Sequence, residues 1–358
     1  MEGSYCAPMT HDHVRRAGAV AARHAPSART HSSNIVLLSP ALLSILGRQE
    51  KMLLDKLFFR ARWVSPKSPG RNYDSAAPVA FMHIPKTSGT ALTTGLRSAI
   101  KPRREAAGFD RALFGSFRAF DSFVPDERSR VFMDPADLPS DSDFIAGHIA
   151  FSSLRQRYGS ANYLTVLREP LSRILSHWLF WRTVPDDYLA RFGAWADYVR
   201  RAREPLKDFL SCKGIACHTD NLSIRMLVWP HRLVPGDDFI DCRDDDVLVN
   251  EAIIALQQFA FVDIIENSDM QTNLERWLGR PVPYCAINET PRIPLPLQRP
   301  LHSELTAEVL NLMEQRTRLD LRLWEWLASK RIKGSNVETL RRRVMLCNVA
   351  RQATLMVP

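Results

Sequence analysis

No G-x-x-x-x-G-K-[ST] run occurs in this 358-residue chain. That absence excludes the ordinary triphosphate loop, in which lysine follows the second glycine and the next hydroxyl holds magnesium. Cysteine is sparse: Cys6, Cys212, Cys217, Cys242, Cys285 and Cys347 form no C-x-x-C pair, so no metal site is expected. Cys212 and Cys217 are close enough to bridge locally, although scattered thiols in a chain of this length are more often reduced core residues. No uninterrupted apolar run reaches the roughly 18 residues of a membrane-spanning helix. The nearest, Ile35 to Leu46, contains Ser39, Pro40 and Ser44 and lies behind a leader bearing His and Arg, which also makes it a poor signal peptide. The expectation is a soluble, cytoplasmic protein without a transmembrane segment. Acidic residues are in deficit: 39 Asp and Glu against 48 Lys and Arg leave a formal charge of +9. Such a balance favours anionic partners, whether a nucleotide, an acidic polysaccharide, nucleic acid or an anionic membrane surface. Charge alone does not choose among them.

The 45% of apolar residues is enough for a substantial core. Met1 to about Ser33 reads as a weakly ordered leader, and its His11, His13, His24 and His31 share no helical face. Ile35 to Trp63 mixes dense apolar positions with Arg48, Lys51, Asp55, Lys56 and Arg60, as on an amphipathic helix that packs on the domain or lies on a membrane surface. Ser65 to Arg71 is a linker by composition. The expected organisation is therefore residues 1–77 as leader, helix and linker, 78–330 as one catalytic domain, and 331–358 as a basic tail. That tail carries Lys333 and Arg341-Arg342-Arg343 and could meet an anionic surface or stay solvated.

The chemistry concentrates after Val79-Ala80-Phe81-Met82. This short apolar run passes into His83-Ile84-Pro85-Lys86-Thr87-Ser88-Gly89-Thr90 and then into helix-compatible sequence up to Lys101-Pro102. Strand, tight loop and helix start make an anion cradle: backbone N–H groups converge, the helix adds its positive end, Lys86 adds a full charge, and the hydroxyls of Thr87, Ser88 and Thr90 can donate. A plain surface turn is the competing account.

Two further segments follow in order. Asp143 to Phe151 reads as a strand presenting Gly147-His148, and a histidine past a strand end in an open α/β sheet lies where ligands bind. Tyr163 to Leu167 reads as a buried strand, followed by Arg168-Glu169-Pro170 and a helix with Ile174, Leu175, Trp178 and Trp181 on one face, Pro170 suiting its first turn. Arg168 and Ser176 then approach one region, where arginine supplies parallel donors to a phosphate.

The loop resembles the 5′-phosphosulfate-binding loop of sulfotransferases, in the branch with His-Ile-Pro-Lys-Thr-x-Gly-Thr that includes bacterial carbohydrate sulfotransferases and the heparan sulfate 2-O-sulfotransferases. The Leu-Arg-Glu-Pro segment resembles that family's 3′-phosphate motif, and Thr219 to Leu227 resembles its Asp-Asn-Leu-x-x-Arg segment. The likeness runs from about Pro78 to Lys330. It implies a P-loop-like sulfotransferase fold, an α/β architecture with a central parallel sheet and helices on both faces. It implies 3′-phosphoadenosine-5′-phosphosulfate (PAPS) as sulfuryl donor, held by Pro85, Lys86, Thr87, Ser88, Gly89 and Thr90 at one end and by Arg168 and Ser176 at the other. By the same likeness His148 is the catalytic base and Lys86 stabilises the leaving phosphate, with no metal. His83 and His177 are weaker rivals for the base. Asn221 and Arg225 either touch nucleotide or acceptor, or form a helix cap.

The branch acts mainly on carbohydrates, so the implied partner is a glycan, glycolipid or polysaccharide and not nucleic acid, with peripheral membrane contact open through the basic or amphipathic termini. Ser88 stands where the branch commonly has glycine, which bears on close backbone approach there. Two other classes compete: another P-loop nucleotide enzyme, such as a kinase, and a non-catalytic polyanion- or nucleotide-binding protein. The latter predicts steep salt dependence and indifference to Lys86→Ala or His148→Ala.

Overall fold

Val79 to Met82 is apolar at every position because the strand it forms, β1, is covered on both faces, as parallel strands in α/β proteins are. Each of its four residues is at most 1% exposed. The computed structural model describes residues 72–283, 290–332 and 336–356, all of them within one compact unit. The expected leader, amphipathic helix and linker, together with Cys6, Cys285, Asn288-Glu289 and Lys333, lie outside the described residues.

Five parallel strands form the central sheet: β1 (Val79–Met82), β2 (Glu105–Ala106), β5 (Phe144–Gly147), β6 (Asn162–Leu167) and β7 (Phe261–Ile264), in the order β2-β5-β1-β6-β7. Val79 is in register with Phe144 on one side and Asn162 on the other. A small pair, β3 (Phe109–Asp110) and β4 (Val131–Phe132), stands apart. The chain lays β2 and β5 to one side of β1, then crosses to β6 and β7. That reversal opens a crevice at the carboxyl ends of β5, β1 and β6.

Alternate residues of the strands feed two cores, as a two-residue period requires. Val79, Phe81, Phe144, Leu164 and Val166 pack with Leu92 and Leu96 of helix α1 (Gly89–Ile100). Ala80, Met82, Ile145, Tyr163 and Leu167 face the larger core. This side is built by α2 (Phe151–Tyr158), α3 (Pro170–Arg182), α4 (Leu222–Val228), α5 (Asp245–Leu256) and, past the β7 helix α6 (Met270–Leu278), by α7 (Ala307–Arg331). Leu274 and Leu278 of α6 close the α1 side, and Gly279 ends that helix at φ 72° with its N–H on the Glu275 carbonyl. Helices thus cover both faces.

The expected basic tail forms an ordered helix, α8 (Val337–Ala353), capped by Asn336 and packed against α3. The region Asp186 to Leu210 is a succession of short helices and helical turns, interrupted at Gly193 (φ 47°) and Pro205. Cys212 and Cys217 are free thiols, so the local bridge left open by their spacing is not made. Among the described residues no helix is long and apolar enough to cross a membrane.

Candidate active site

The β1–α1 loop is shaped by two residues in left-handed backbone, Lys86 (φ 69°) and Ser88 (φ 63°). Such a conformation costs a non-glycine residue roughly 1–2 kcal/mol, which is the physical reason a glycine suits position 88. Ser88 is the N-cap of α1 but makes no side-chain cap, and no acidic residue stands in the first turn. The first N–H groups of a 12-residue helix are left to be satisfied by something else. The Thr87 hydroxyl, expected to donate to a ligand, is fully buried and donates instead to the Ile84 carbonyl at 2.8 Å. It braces the loop; Ser88 and Thr90 keep half-buried side chains. Pro85 is buried beneath them. Gly89 is required by a neighbour: a Cβ there would collide with the His83 ring.

His148 is held on three sides. Its N–H donates to the Gly108 carbonyl at 3.0 Å and its own carbonyl accepts the Asp110 N–H at 2.9 Å, tying the end of β5 to β3. Its ring Nδ1 lies 2.6 Å from the His83 carbonyl oxygen. A carbonyl can only accept, so Nδ1 carries the proton and Nε2 is left with its lone pair. The His83 ring lies against that of His148, with centroids 4.3 Å apart and planes inclined by 45°. Burial pushes His148 down to about 4, the His83 carbonyl opposes the shift, and the Lys86 charge adds to it. His83 is held well below the usual imidazole range by burial, then by His148 and Lys86. Both imidazoles are therefore neutral at pH 7.

Lys86 is half-buried with its Nζ 4.0 Å from the centre of the Phe180 ring. Burial, and then the Arg168 guanidinium, bring its ammonium down to about 7. Arg168 is joined directly to the loop: Nη1 donates to the Lys86 carbonyl at 3.1 Å and Nη2 to Asn348 Oδ1 of α8 at 2.8 Å. The two cations expected to grip opposite ends of one ligand thus stand side by side at the ends of adjacent strands. Ser176 lies two turns into α3 and is 5% exposed.

Not every helix start is open. At α3 the Glu169 carboxylate accepts the N–H groups of Leu171 and Ser172 at 3.2 and 2.7 Å, with Arg341 of α8 3.8 Å away. Glu266, past β7, accepts the Glu169 N–H at 2.8 Å and is pushed up to about 7 by burial. Positive ends are therefore free for an anion at α1 and closed at α3. Asn221 and Arg225 go to structure: Asn221 Oδ1 accepts the Leu319 N–H at 2.8 Å, and Arg225, 3% exposed, pairs with Asp220 at 2.8 Å. Asn221 stands at the N-cap position of α4, but its side chain makes no cap there.

Sequence reasoning passed over Asn348, for which no motif exists, and His218, which lies in the turn before α4 without a pattern around it. Both reach the site region only through tertiary packing. No family model matches the chain, and no curated protein matches it.

Proposed function

We propose that the chain is a sulfotransferase with a P-loop-like strand–loop–helix core, moving the sulfuryl group of PAPS to a hydroxyl of a carbohydrate-type acceptor. The observation that carries this reading is the fixed tautomer of His148: Nδ1–H on the His83 carbonyl leaves Nε2 as a proton acceptor beside the cationic loop. An alcohol is a poor nucleophile until a base in hydrogen-bond reach takes its proton, and a neutral imidazole does that.

The residues present suit a bisphosphorylated nucleotide. The uncapped start of α1 and Lys86 suit its phosphosulfate end, and Arg168, with Ser176 on α3, suits its 3′-phosphate. Arg168 already donates to Asn348, so a phosphate there shares the guanidinium with α8 or displaces it. When bound, PAPS supplies an activated sulfuryl group. Lys86 and the α1 N–H groups stabilise the negative charge that builds on the leaving phosphate, and Phe180 shields Lys86 from water on one side.

Radiolabelled PAPS with a glycan panel and no added metal tests the reaction. Label should pass to a hydroxyl, Lys86→Ala and Arg168→Ala should weaken donor binding, and His148→Ala should mainly lower kcat. Stoichiometric binding of adenosine 3′,5′-bisphosphate, lost on changing Arg168, separates this enzyme from a general polyanion binder. Failure of the wild-type protein to bind that nucleotide overturns the proposal.

A further inference from the structure

The Arg168 guanidinium is held by a part of the chain 180 positions away. Its Nη2 donates to Asn348 Oδ1 of α8 at 2.8 Å, while Nη1 donates to the Lys86 carbonyl at 3.1 Å. Acceptors on two different nitrogens fix the plane of a rigid fork. The Asn348 amide is itself oriented at both ends. Its Nδ2 donates to the Val344 carbonyl of the same helix at 2.9 Å. A carbonyl only accepts and a guanidinium only donates, so the amide has one orientation that satisfies both. Hydrogen bonds therefore run from the backbone of α8, through Asn348 and Arg168, to the backbone of the β1–α1 loop.

Helix α8 is seated there by contacts that do not involve Asn348. Two turns earlier on the same face, buried Arg341 lies 3.8 Å from the carboxylate of Glu169, the neighbour of Arg168. Met345 and Val349 share an apolar seam with Leu171 and Leu175 of α3. Leu340 and Met356 are buried in the larger core, and the Leu355 carbonyl accepts the Ile293 N–H at 3.1 Å. Substituting Asn348 thus removes a contact and leaves the helix in place. The family resemblance stops at about Lys330, so it gives α8 no role.

We propose that α8 belongs to the anion site, with Asn348 the positioning residue that sets the Arg168 fork for a phosphate monoester. On the transferase reading, on which this identification of the ligand rests, that group is the 3′-phosphate of PAPS. Asn348 touches Arg168 and acts through it. A fork oriented before the ligand arrives loses less freedom on binding, and arginine then makes its two parallel bonds to phosphate at lower cost. The guanidinium has five N–H donors, and the contacts to Asn348 and Lys86 take one from each terminal nitrogen. Asn348 accordingly shares Arg168 with the phosphate instead of competing for it. The residue type fits that part: a carboxylate at 348 would hold the arginine too, but its charge would oppose an incoming phosphate, whereas the neutral amide holds the fork without repulsion.

Calorimetric titration of the full chain with adenosine 3′,5′-bisphosphate, adenosine 5′-monophosphate and inorganic pyrophosphate tests it. Asn348→Ala should weaken the bisphosphate about fivefold or more, while affinity for the 5′-monophosphate stays within about twofold and Tm is unchanged. A merely structural role would lower both affinities together, or neither. Asn348→Gln, which keeps the amide on a longer stem, should recover part of the loss. Asn348→Ser, with the same expectation as alanine, is read in its place if the alanine variant fails to fold. A bisphosphate affinity that is unchanged or raised, or an equal loss for both nucleotides, overturns the proposal. Failure of the wild type to bind the bisphosphate overturns the transferase reading, and the role of α8 is then read from pyrophosphate. Pyrophosphate binding that falls with Asn348→Ala leaves that role standing; pyrophosphate binding that is absent or indifferent to Asn348 overturns it as well.

Discussion

Lys86 is the group whose titration should be visible in ligand binding near neutral pH. Its ammonium is brought from 10.5 to about 7 by burial and by Arg168, so about half of the unliganded molecules carry the charge at pH 7. A phosphate dianion beside it favours the charged form, and binding therefore takes up a proton. Affinity is full below about pH 7 and is lost as pH rises through it. Between pH 7 and pH 9 the charged fraction falls about 50-fold, worth roughly 2.3 kcal/mol. The neighbours do not blur this window. His148, at about 4, and His83, lower than usual, are already neutral, Arg168 stays charged, and a phosphate monoester with a second pKa of about 6 is ionised. Calorimetric titration with adenosine 3′,5′-bisphosphate at pH 7, 8 and 9, in two buffers of different ionisation enthalpy, reads both the affinity and the proton. Lys86→Arg should flatten the profile because guanidinium does not titrate there. An affinity unchanged from pH 7 to pH 9, or a slope that survives Lys86→Arg, refutes the reasoning.

The same depressed ammonium destabilises the empty fold below pH 7, where folded and unfolded chains both carry the charge, and the penalty fades as pH rises from about 7 to 10.5. Lys86→Met should therefore stabilise the fold at pH 6 to 7, by at most roughly 5 kcal/mol, and so raise Tm, while abolishing nucleotide binding; calorimetric melting checks the first and titration the second. Gly89→Ala should cost about 1–3 kcal/mol, because the new methyl collides with the His83 ring, and it should also lower kcat, since His83 carries the carbonyl that fixes His148. Ser88→Gly should raise stability by about 1 kcal/mol through relief of left-handed strain, as chemical denaturation would show.

What the sequence made legible follows from how local each feature is. Strands β1, β5, β6 and β7 and helices α1, α3 and α6 are encoded by contiguous apolar runs and by Pro170 and Gly279, which start α3 and end α6, and their order alone suggests a sheet with a crevice at its carboxyl ends. Strand β2 is two residues long and carries no period to detect. The stretch from Asp186 to Leu210 has the aromatic anchors of a helix. Gly193 and Pro205, however, impose backbone that a continuous helix cannot adopt, and the chain turns there instead.

Side-chain roles divide along a different line. Lys86 and His148 are positioned by backbone within a few residues of them or by adjacent strands, so motif spacing was a fair guide to where they lie. Thr87, Asn221 and Arg225 have the same chemical types as binding groups, yet each is satisfied by protein: Ile84 for the first, Leu319 for the second and Asp220 for the third. Whether a polar residue serves the fold or a ligand depends on who else is buried beside it, and that is decided by segments up to about a hundred positions away. His177 and His218 show the same dependence: the Leu113 backbone provides a hydrogen bond to His218, whereas His177, buried beside it, has none among the described residues. Neither outcome follows from the spacing of residues along the chain, because both are set by what the assembled neighbours bring.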